Sequence, residues 1–439
     1  MANTTIRHRI RHPSRLRQWL AGFRFRFCPS GLVRAQPVSF VRASNPFLGS
    51  ARVVSPWFMN NRRRPRFCSL TALALFIGAL SPAWPAQAAE GPAAAQVEAI
   101  FRPLASRQEP GLAVLVRRNG RTVFKHGYGS RELRSGAPID AHTSFRLASC
   151  TKQFTAFAVM LLVQDGKLRL DESLTDVFPE FPAYGKTITI RNLLNHTSGL
   201  VAYEDVMDKV SAGKAWQEIP QITDAGVLEL MEQQKATKFL PGTAWEYSNS
   251  GYCVLAKVVE KASGMPFAEF LRQRIFMPLG MRNTVAHEYG KNRVKARAYG
   301  YTQDAGTWLE TDQSSTSATL GDGGIYSSLD DLSKWDNALG HHTLLSESAM
   351  RPALTAVDLR EGSSVSPSGP DGEAVKYGFG WFLNPYRGYA RMWHEGESIG
   401  FRTAIERFPA NRLTIVILAN RTDLVPTALA LKIADLYLH

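Results

Sequence analysis

No acidic residue and no lysine occurs before Glu90 in this 439-residue chain, although the same stretch carries 14 arginines. The formal net charge of +14 therefore belongs to the leader: taking those 14 from the 52 basic residues leaves 38 against 38 acidic ones. A neutral remainder has no overall footprint for nucleic acid or an anionic membrane. Cysteine is scarce. Cys28 and Cys68 fall in the leader, and Cys150 and Cys253 lack C-x-x-C spacing, which excludes the common thiolate zinc motifs and reads as two buried thiols. There is no H-E-x-x-H, no G-x-G-x-x-G and no P-loop, and the glycines of "LGDGGIYSS" read as a tight turn before a helix. Adjacent His341 and His342 read as a solvated surface loop. The apolar run Leu70 to Leu80 is too short to cross a bilayer, so no membrane span is expected in the mature chain.

That run has flanks of its own. Arg62, Arg63, Arg64 and Arg66 precede it, and Ala86-Gln87-Ala88 follows, which is the layout of a secretory signal peptide over 59–88 with cleavage after Ala88. Residues 1–58 read as an over-called leader with Met59 the initiator; an amphipathic transit peptide is the other reading, and Tat export stays open. The mature region, 89–439, is long enough for one large core with a sizeable insertion.

"PGLAVLVRRNGRTVFKHGYGSRE" reads as a β-hairpin turning at Asn119-Gly120. "SCTKQFTAFAVMLLVQDGKL" has helical apolar spacing with Gly166 as its C-terminal stop. From about 171 to 320, short helical patterns alternate with Pro/Gly/Ser-rich connections. "GGIYSSLDDLSKWDNAL" opens another helix capped by Ser328. "ARMWHEG", "FRTAIERFP" and "RLTIVILAN" are strand-like, and "LVPTALALKIADLYL" closes the chain as a helix. The expected architecture is α/β: an antiparallel sheet flanked by helices and built from both ends of the mature chain, with a mostly helical insertion.

Gly396-Glu397-Ser398-Ile399-Gly400 spells the G-x-S-x-G nucleophile elbow. An elbow needs a helix directly after the serine and an acid, then a histidine, downstream. Here strand, turn and strand follow, and the sole later histidine is His439, so Ser398 reads as an accidental match. Ser149-Cys150-Thr151-Lys152 is the better candidate, because residues three apart share a helix face and a partly desolvated lysine can take a serine proton. A second S-x-x-K, Ser211 to Lys214, lies in a polar stretch, whereas Ser149 leads into an apolar helix. Tyr247-Ser248-Asn249 offers a phenol to relay a proton and an amide for the lysine and the substrate. His394-Glu395-Gly396 places a glycine on a strand, where a substrate backbone can come close. Each element alone has a plain structural explanation, including His196 in "NHTSGL" as a hydrogen-bonded structural histidine. Their joint order is hard to reach by chance.

With these motifs, "IRNLLNHTSGL" and "GDGGIYSSLDDLSKW", the chain from about Val97 onward resembles the serine β-lactamase/penicillin-binding-protein superfamily, class C-like branch. The resemblance implies a β-lactamase/transpeptidase-like fold and an acyl-enzyme mechanism without a cofactor. It implies Ser149, Lys152 and Tyr247 as catalytic residues, and an oxyanion hole from the backbone N–H groups of Ser149 and Glu397. Asn249, His394 and Gly396 would bind substrate. Class C β-lactamases carry Lys-Thr-Gly where this chain has His-Glu-Gly. Histidine is mostly neutral at pH 7 and Glu395 is acidic, so a substrate carboxylate is attracted less. The expectation is an exported serine hydrolase acting on small ester, amide or peptide substrates, of esterase or D-amino-acid peptidase type. The alternatives are a D-Ala-D-Ala carboxypeptidase or weak β-lactamase, and a non-catalytic binder of peptidoglycan fragments.

Overall fold

The computed structural model describes residues 92–211, 214, 218–357 and 376–438. The leader and signal segment read over residues 1–88 lie outside them.

A seven-stranded antiparallel sheet organises the protein. Its strands are β1 (Leu112–Arg118), β2 (Arg121–Tyr128), β3 (Lys376–Tyr377), β4 (Phe382–Leu383), β5 (Met392–Ser398), β6 (Phe401–Phe408) and β7 (Leu413–Ala419), in the spatial order β3-β4-β5-β6-β7-β1-β2. Both ends of the chain thus meet in mid-sheet, where β7 pairs with β1 from Leu413↔Arg118 to Ala419↔Leu112. The β1–β2 turn falls at Asn119 and Gly120, whose φ values of 52° and 76° suit a primed two-residue turn that splays neither strand.

Side chains alternate across the sheet with period two. Leu112, Val114 and Val116 face one layer, built from α1 (Pro92–Phe101) and the C-terminal helix. Ala113 and Leu115 face the other, where α2 (Lys152–Gln164) sits. Every residue of α2 from Lys152 to Leu162 is buried, so this helix is the hub of the inner layer. Gly166, at φ 70°, lies in the turn that follows it.

Between α2 and the third block lie short helices, including α3 (Tyr203–Val210), α4 (Asp224–Glu232) and α5 (Asn249–Ser263). The region also holds a hairpin, Tyr301–Asp304 with Thr307–Glu310, which its composition did not signal. Ile325–Ser327, which lie before the Ser328 cap and carried no strand expectation, form a strand between Phe145–Arg146 and Val285–Ala286. The helix α6 (Leu329–Gly340) then starts directly after Ser328, the cap expected from the sequence. Three β-prone residues were absorbed by partners distant in sequence. The last helix, α7 (Pro426–Ala434), closes the outer layer.

A polar bolt ties α6 to the sheet. Asp336 accepts from Arg117 Nη1 at 2.6 Å, Arg407 Nε at 2.9 Å and Thr414 Oγ1 at 2.7 Å, so one carboxylate serves β1, β6 and β7. Arg117 is only 3% exposed and has no route to solvent if it loses that partner. Asp336→Ala should therefore destabilise the fold by about 2 kcal/mol, measured by denaturant melts, because it strands a buried cation. A loss under a few tenths would mean that Ser333 and Asn337, which also accept from Arg117, suffice.

Candidate active site

The Ser149 turn is fixed from several directions before any chemistry is considered. Ala148–Thr151 is a 3-10 turn running directly into α2. Ala148 sits at φ 49°, a left-handed conformation that costs a non-glycine residue of order 1 kcal/mol. The surroundings enforce it. Leu147 N–H donates to the Ile325 carbonyl at 2.8 Å, Thr403 Oγ1 donates to the Leu147 carbonyl at 2.8 Å, and Cys150 Sγ donates to the His394 carbonyl at 3.2 Å. Gly396 explains how β5 comes so near: a Cβ there would stand 2.2 Å from the Leu147 oxygen and 2.3 Å from Thr403 Oγ1. The missing side chain lets the strand pack on the serine turn.

Lys152 is wholly buried on the first turn of α2. Its Nζ donates to Ser149 Oγ at 3.1 Å, Asn249 Oδ1 at 2.8 Å and the Asp322 carbonyl at 3.0 Å. Three acceptors match the three N–H groups of an ammonium. They match the neutral amine equally well: two N–H groups go to the carbonyls of Asn249 and Asp322, and the lone pair faces the Ser149 hydroxyl. Burial pushes the lysine pKa down, and the Asp322 charge works against that shift.

Tyr247 completes the triangle. Its ring lies under the lysine, 4.9 Å from Nζ to the centroid, and runs nearly parallel to Phe382. Burial lifts the phenol pKa well above 10, while a hydrogen bond with Ser149 works the other way. The Tyr247-Ser248-Asn249 segment is clamped by His196, whose carbonyl accepts from Glu246 N–H at 3.0 Å and whose Nδ1 accepts from Ser248 N–H at 3.1 Å. Ser248 rather than Asn249 caps α5, through Gly251 N–H. That leaves the Asn249 amide free to bridge Lys152 and Glu204, donating to Glu204 Oε1 at 2.7 Å.

His394 reaches the same cluster, but without a free polar atom. Its Nδ1 lies 2.6 Å from the Glu395 carbonyl and its Nε2 lies 3.0 Å from Tyr377 Oη. A proton on Nδ1 satisfies both bonds, with the Tyr377 hydroxyl donating to Nε2. Burial, and then the Lys152 charge, push its pKa down to about 3. Below the ordinary value of 6.5 the unfolded chain binds a proton here and the native chain does not, until about pH 3. The native state therefore loses roughly 1.4 kcal/mol per pH unit across that window. His394→Gln removes this loss, so the wild type should lose about 2 kcal/mol relative to the variant between pH 6.5 and pH 5. Denaturant melts of both proteins that fall in parallel would contradict the assignment.

The third motif also presents an edge. β4 pairs with β5 only at Met392 and Trp393, so among the described residues no strand pairs with the outer side of β5 from His394 to Ser398. The turn Ile399-Gly400 makes Ser398–Phe401 the closing pair; strand alternation then directs the Glu397 N–H away from β6, toward that open edge. The Ser149 N–H lies in the first turn of its 3-10 helix, where the helix supplies no acceptor. The Glu397 carboxylate is 71% exposed and paired with Arg402 at 2.6 Å, and Glu395, two residues earlier on the same face of β5, accepts from Thr427.

The remaining candidates fall away from this centre. Ser398 is followed by the turn and β6, not a helix, and its hydroxyl is buried without a hydrogen-bond partner. Ser211 ends α3 and Lys214 is exposed. Cys150 and Cys253 are free buried thiols, with Cys150 pushed up to about 12 by desolvation. Sequence reasoning missed Glu204, Tyr377 and the Asp322 carbonyl as site residues. Only Asp322 carried a signal, its place in "GDGG", and that was read as a turn.

This arrangement can be set against known proteins. The profile described as Beta-lactamase matches residues 97–438. The chain belongs to the beta-lactamase family. Within it, a penicillin-binding protein of Bacillus subtilis (strain 168) is 31% identical over 341 residues, covering 74% of this chain and 72% of its own. The D-aminopeptidase of Brucella anthropi is 28% identical over 317 residues, 71% of this chain and 56% of that protein. The octameric penicillin-binding protein homologue from Pyrococcus abyssi superposes with a TM-score of 0.67 at 25% identity, covering 78% of this chain and 76% of that one. The fold of this beta-lactamase-family chain is the β-lactamase/transpeptidase-like one, and the protein is a serine hydrolase of that superfamily. No helix among the described residues is long and apolar enough to cross a membrane.

Proposed function

We propose that this beta-lactamase-family hydrolase is exported and forms an acyl-enzyme on Ser149, acting on ester or amide bonds of the esterase or D-amino-acid peptidase kind. The observation that carries the reading is the three-way contact of buried Lys152 with Ser149, Asn249 and the Asp322 carbonyl. The neutral amine takes the Ser149 proton as Oγ attacks the substrate carbonyl. The oxyanion then faces the N–H groups of Ser149 and Glu397, and such preorganised donors are worth about 3 kcal/mol each. Tyr247, whose hydroxyl stays protonated in its buried setting, hands a proton on to the leaving group and is reprotonated from Lys152. Water releases the acyl group by the same steps in reverse. Asn249 and the open edge at Gly396 hold the substrate, and His394 meets it as part of an uncharged wall.

The third motif favours substrates without a carboxylate beside the scissile bond. His394 carries no charge at neutral pH, and the Glu397 carboxylate is already paired with Arg402, so the motif offers a substrate carboxylate no unpaired cation. p-Nitrophenyl acyl esters and D-amino-acid amides should therefore be turned over at least about tenfold faster than nitrocefin, in kcat/KM, by the purified mature chain. Nitrocefin turnover above both would shift the reading to a β-lactamase, and D-Ala-D-Ala release above both to a carboxypeptidase. A fluorophosphonate adduct mapped by mass spectrometry to Ser149 supports catalysis; repeated absence with folded protein would favour a non-catalytic binder. N-terminal sequencing of secreted protein that begins after Ala88 supports export through the 59–88 signal.

A further inference from the structure

The residue whose carbonyl holds Lys152 also carries a buried carboxylate that the chemistry above does not use. Asp322 contributes its carbonyl to the lysine, but its side chain is 7% exposed and poorly paired. Oδ2 receives only the Tyr203 hydroxyl, at 3.4 Å, and Oδ1 has no hydrogen-bond partner. Leaving a carboxylate oxygen unpartnered in the interior is costly, and a nearby cation is the usual compensation.

The loop bearing Asp322 is held rigidly. Asp224, the first residue of α4, accepts from Leu320 N–H at 2.9 Å and Gly321 N–H at 3.1 Å. Thr155 Oγ1 of α2 donates to the Gly321 carbonyl at 2.6 Å, and a Cβ on Gly321 would stand 2.3 Å from the Tyr252 carbonyl of α5. Asp322 can neither swing to solvent nor move off the lysine. The neighbouring acids are differently committed. Glu204 of α3 spends Oε1 on Asn249, and Asp224, pushed up to about 7 by burial and then by the Asp322 charge, spends both oxygens on the Leu320 and Gly321 N–H groups. From α5, Cys253 also faces this centre; its thiol is held protonated by burial. His196 and His394 are kept neutral by burial and by Lys152. The strongest charge acting to keep the proton on Lys152 is that of Asp322.

We propose that Asp322 is a positioning residue: its carbonyl orients the Lys152 amine, and its poorly paired carboxylate sets the pH range in which that amine is free to take the Ser149 proton. This rests on the reading of Ser149 and Lys152 as nucleophile and base. Removing the carboxylate favours neutral lysine, so the onset of reactivity moves to lower pH.

The test is the rate of Ser149 labelling by a fluorophosphonate between pH 5 and 10, on the full mature chain, in wild type, Asp322→Asn and Asp322→Ser. The serine variant is made alongside the amide so that a folding failure of one still leaves a measurement, and thermal melts verify both. The acidic limb should move down by about one pH unit, with the plateau rate within about tenfold of wild type. Glu204→Gln should move it less, because that carboxylate is already engaged by Asn249. An unmoved limb with a lowered plateau would make Asp322 merely structural and would overturn the proposal, as would a larger shift in Glu204→Gln. A wild type that never labels at Ser149 would instead overturn the underlying reading of the site.

Discussion

Lys152→Met is expected to lower ester hydrolysis and fluorophosphonate labelling by at least about a thousandfold while changing the folding free energy by less than about 2 kcal/mol. Two opposed effects lie behind this pairing. General-base assistance is worth about 10²–10⁴ in rate, and Lys152 is the group in contact with the Ser149 hydroxyl through Nζ. Its burial, however, is a burden on the native state, since the ammonium has left water. Methionine has similar length and an adaptable apolar chain, so it removes that burden and fills the space between Tyr247 and Tyr252. Against this, the Asn249 and Asp322 carbonyls each lose a donor, at about 1 kcal/mol apiece. The sum is near zero. Lys152→Arg separates a base from a mere cation. Arginine keeps the charge but does not surrender its proton, so it should be as inactive as methionine. Activity retained by Arg, or by Met, would remove Lys152 from the proton path.

Sequence pattern and structure part company in an instructive way here. The contact between Ser149 and Lys152 was legible because it is local: one helical turn brings them together, and apolar periodicity announces the helix. Tyr247 and Asn249 were legible as a motif at a helix start, and the sheet built from both ends was legible in the alternation of β1 and the apolar run of β7. What escaped notice depends on contacts that carry no local periodicity. The Asn249–Glu204 bond spans 45 residues and the Lys152–Asp322 bond spans 170. His394 was legible as a near-neutral group, but not as one whose two nitrogens are spent on Glu395 and Tyr377. The helix after Ser328 was legible from its cap, but the short strand Ile325–Ser327 before it was not, because its partners Phe145–Arg146 and Val285–Ala286 are distant in sequence.

Gly396→Val should abolish measurable hydrolysis and destabilise the protein by about 3 kcal/mol, the upper range for forced overpacking. The glycine was first read as making room for a substrate backbone; the structure adds a second demand on the opposite side of the same atom. A branched side chain there would drive into the Leu147 carbonyl and Thr403 Oγ1, both of which are buried and already bonded to each other. Neither can retreat cheaply. The Leu147 N–H is committed to Ile325, and the Thr403 backbone lies in the middle of β6, between β5 and β7. The strain must therefore go into separating β5 from the serine turn, which shifts Ala148 out of its left-handed conformation and takes the Ser149 N–H away from the Glu397 N–H. A displacement of about 1 Å in such a constellation costs about a hundredfold before any stability is lost. Gly396→Ala grades the same effect, since its Cβ makes the same contacts without the branches. It should fold, melt lower than wild type, and lose kcat more than it raises KM, because the donors it moves act on the developing oxyanion rather than on bound substrate. If alanine raised KM alone, Gly396 would serve substrate approach, and the packing of β5 on the serine turn would have slack that these distances do not suggest.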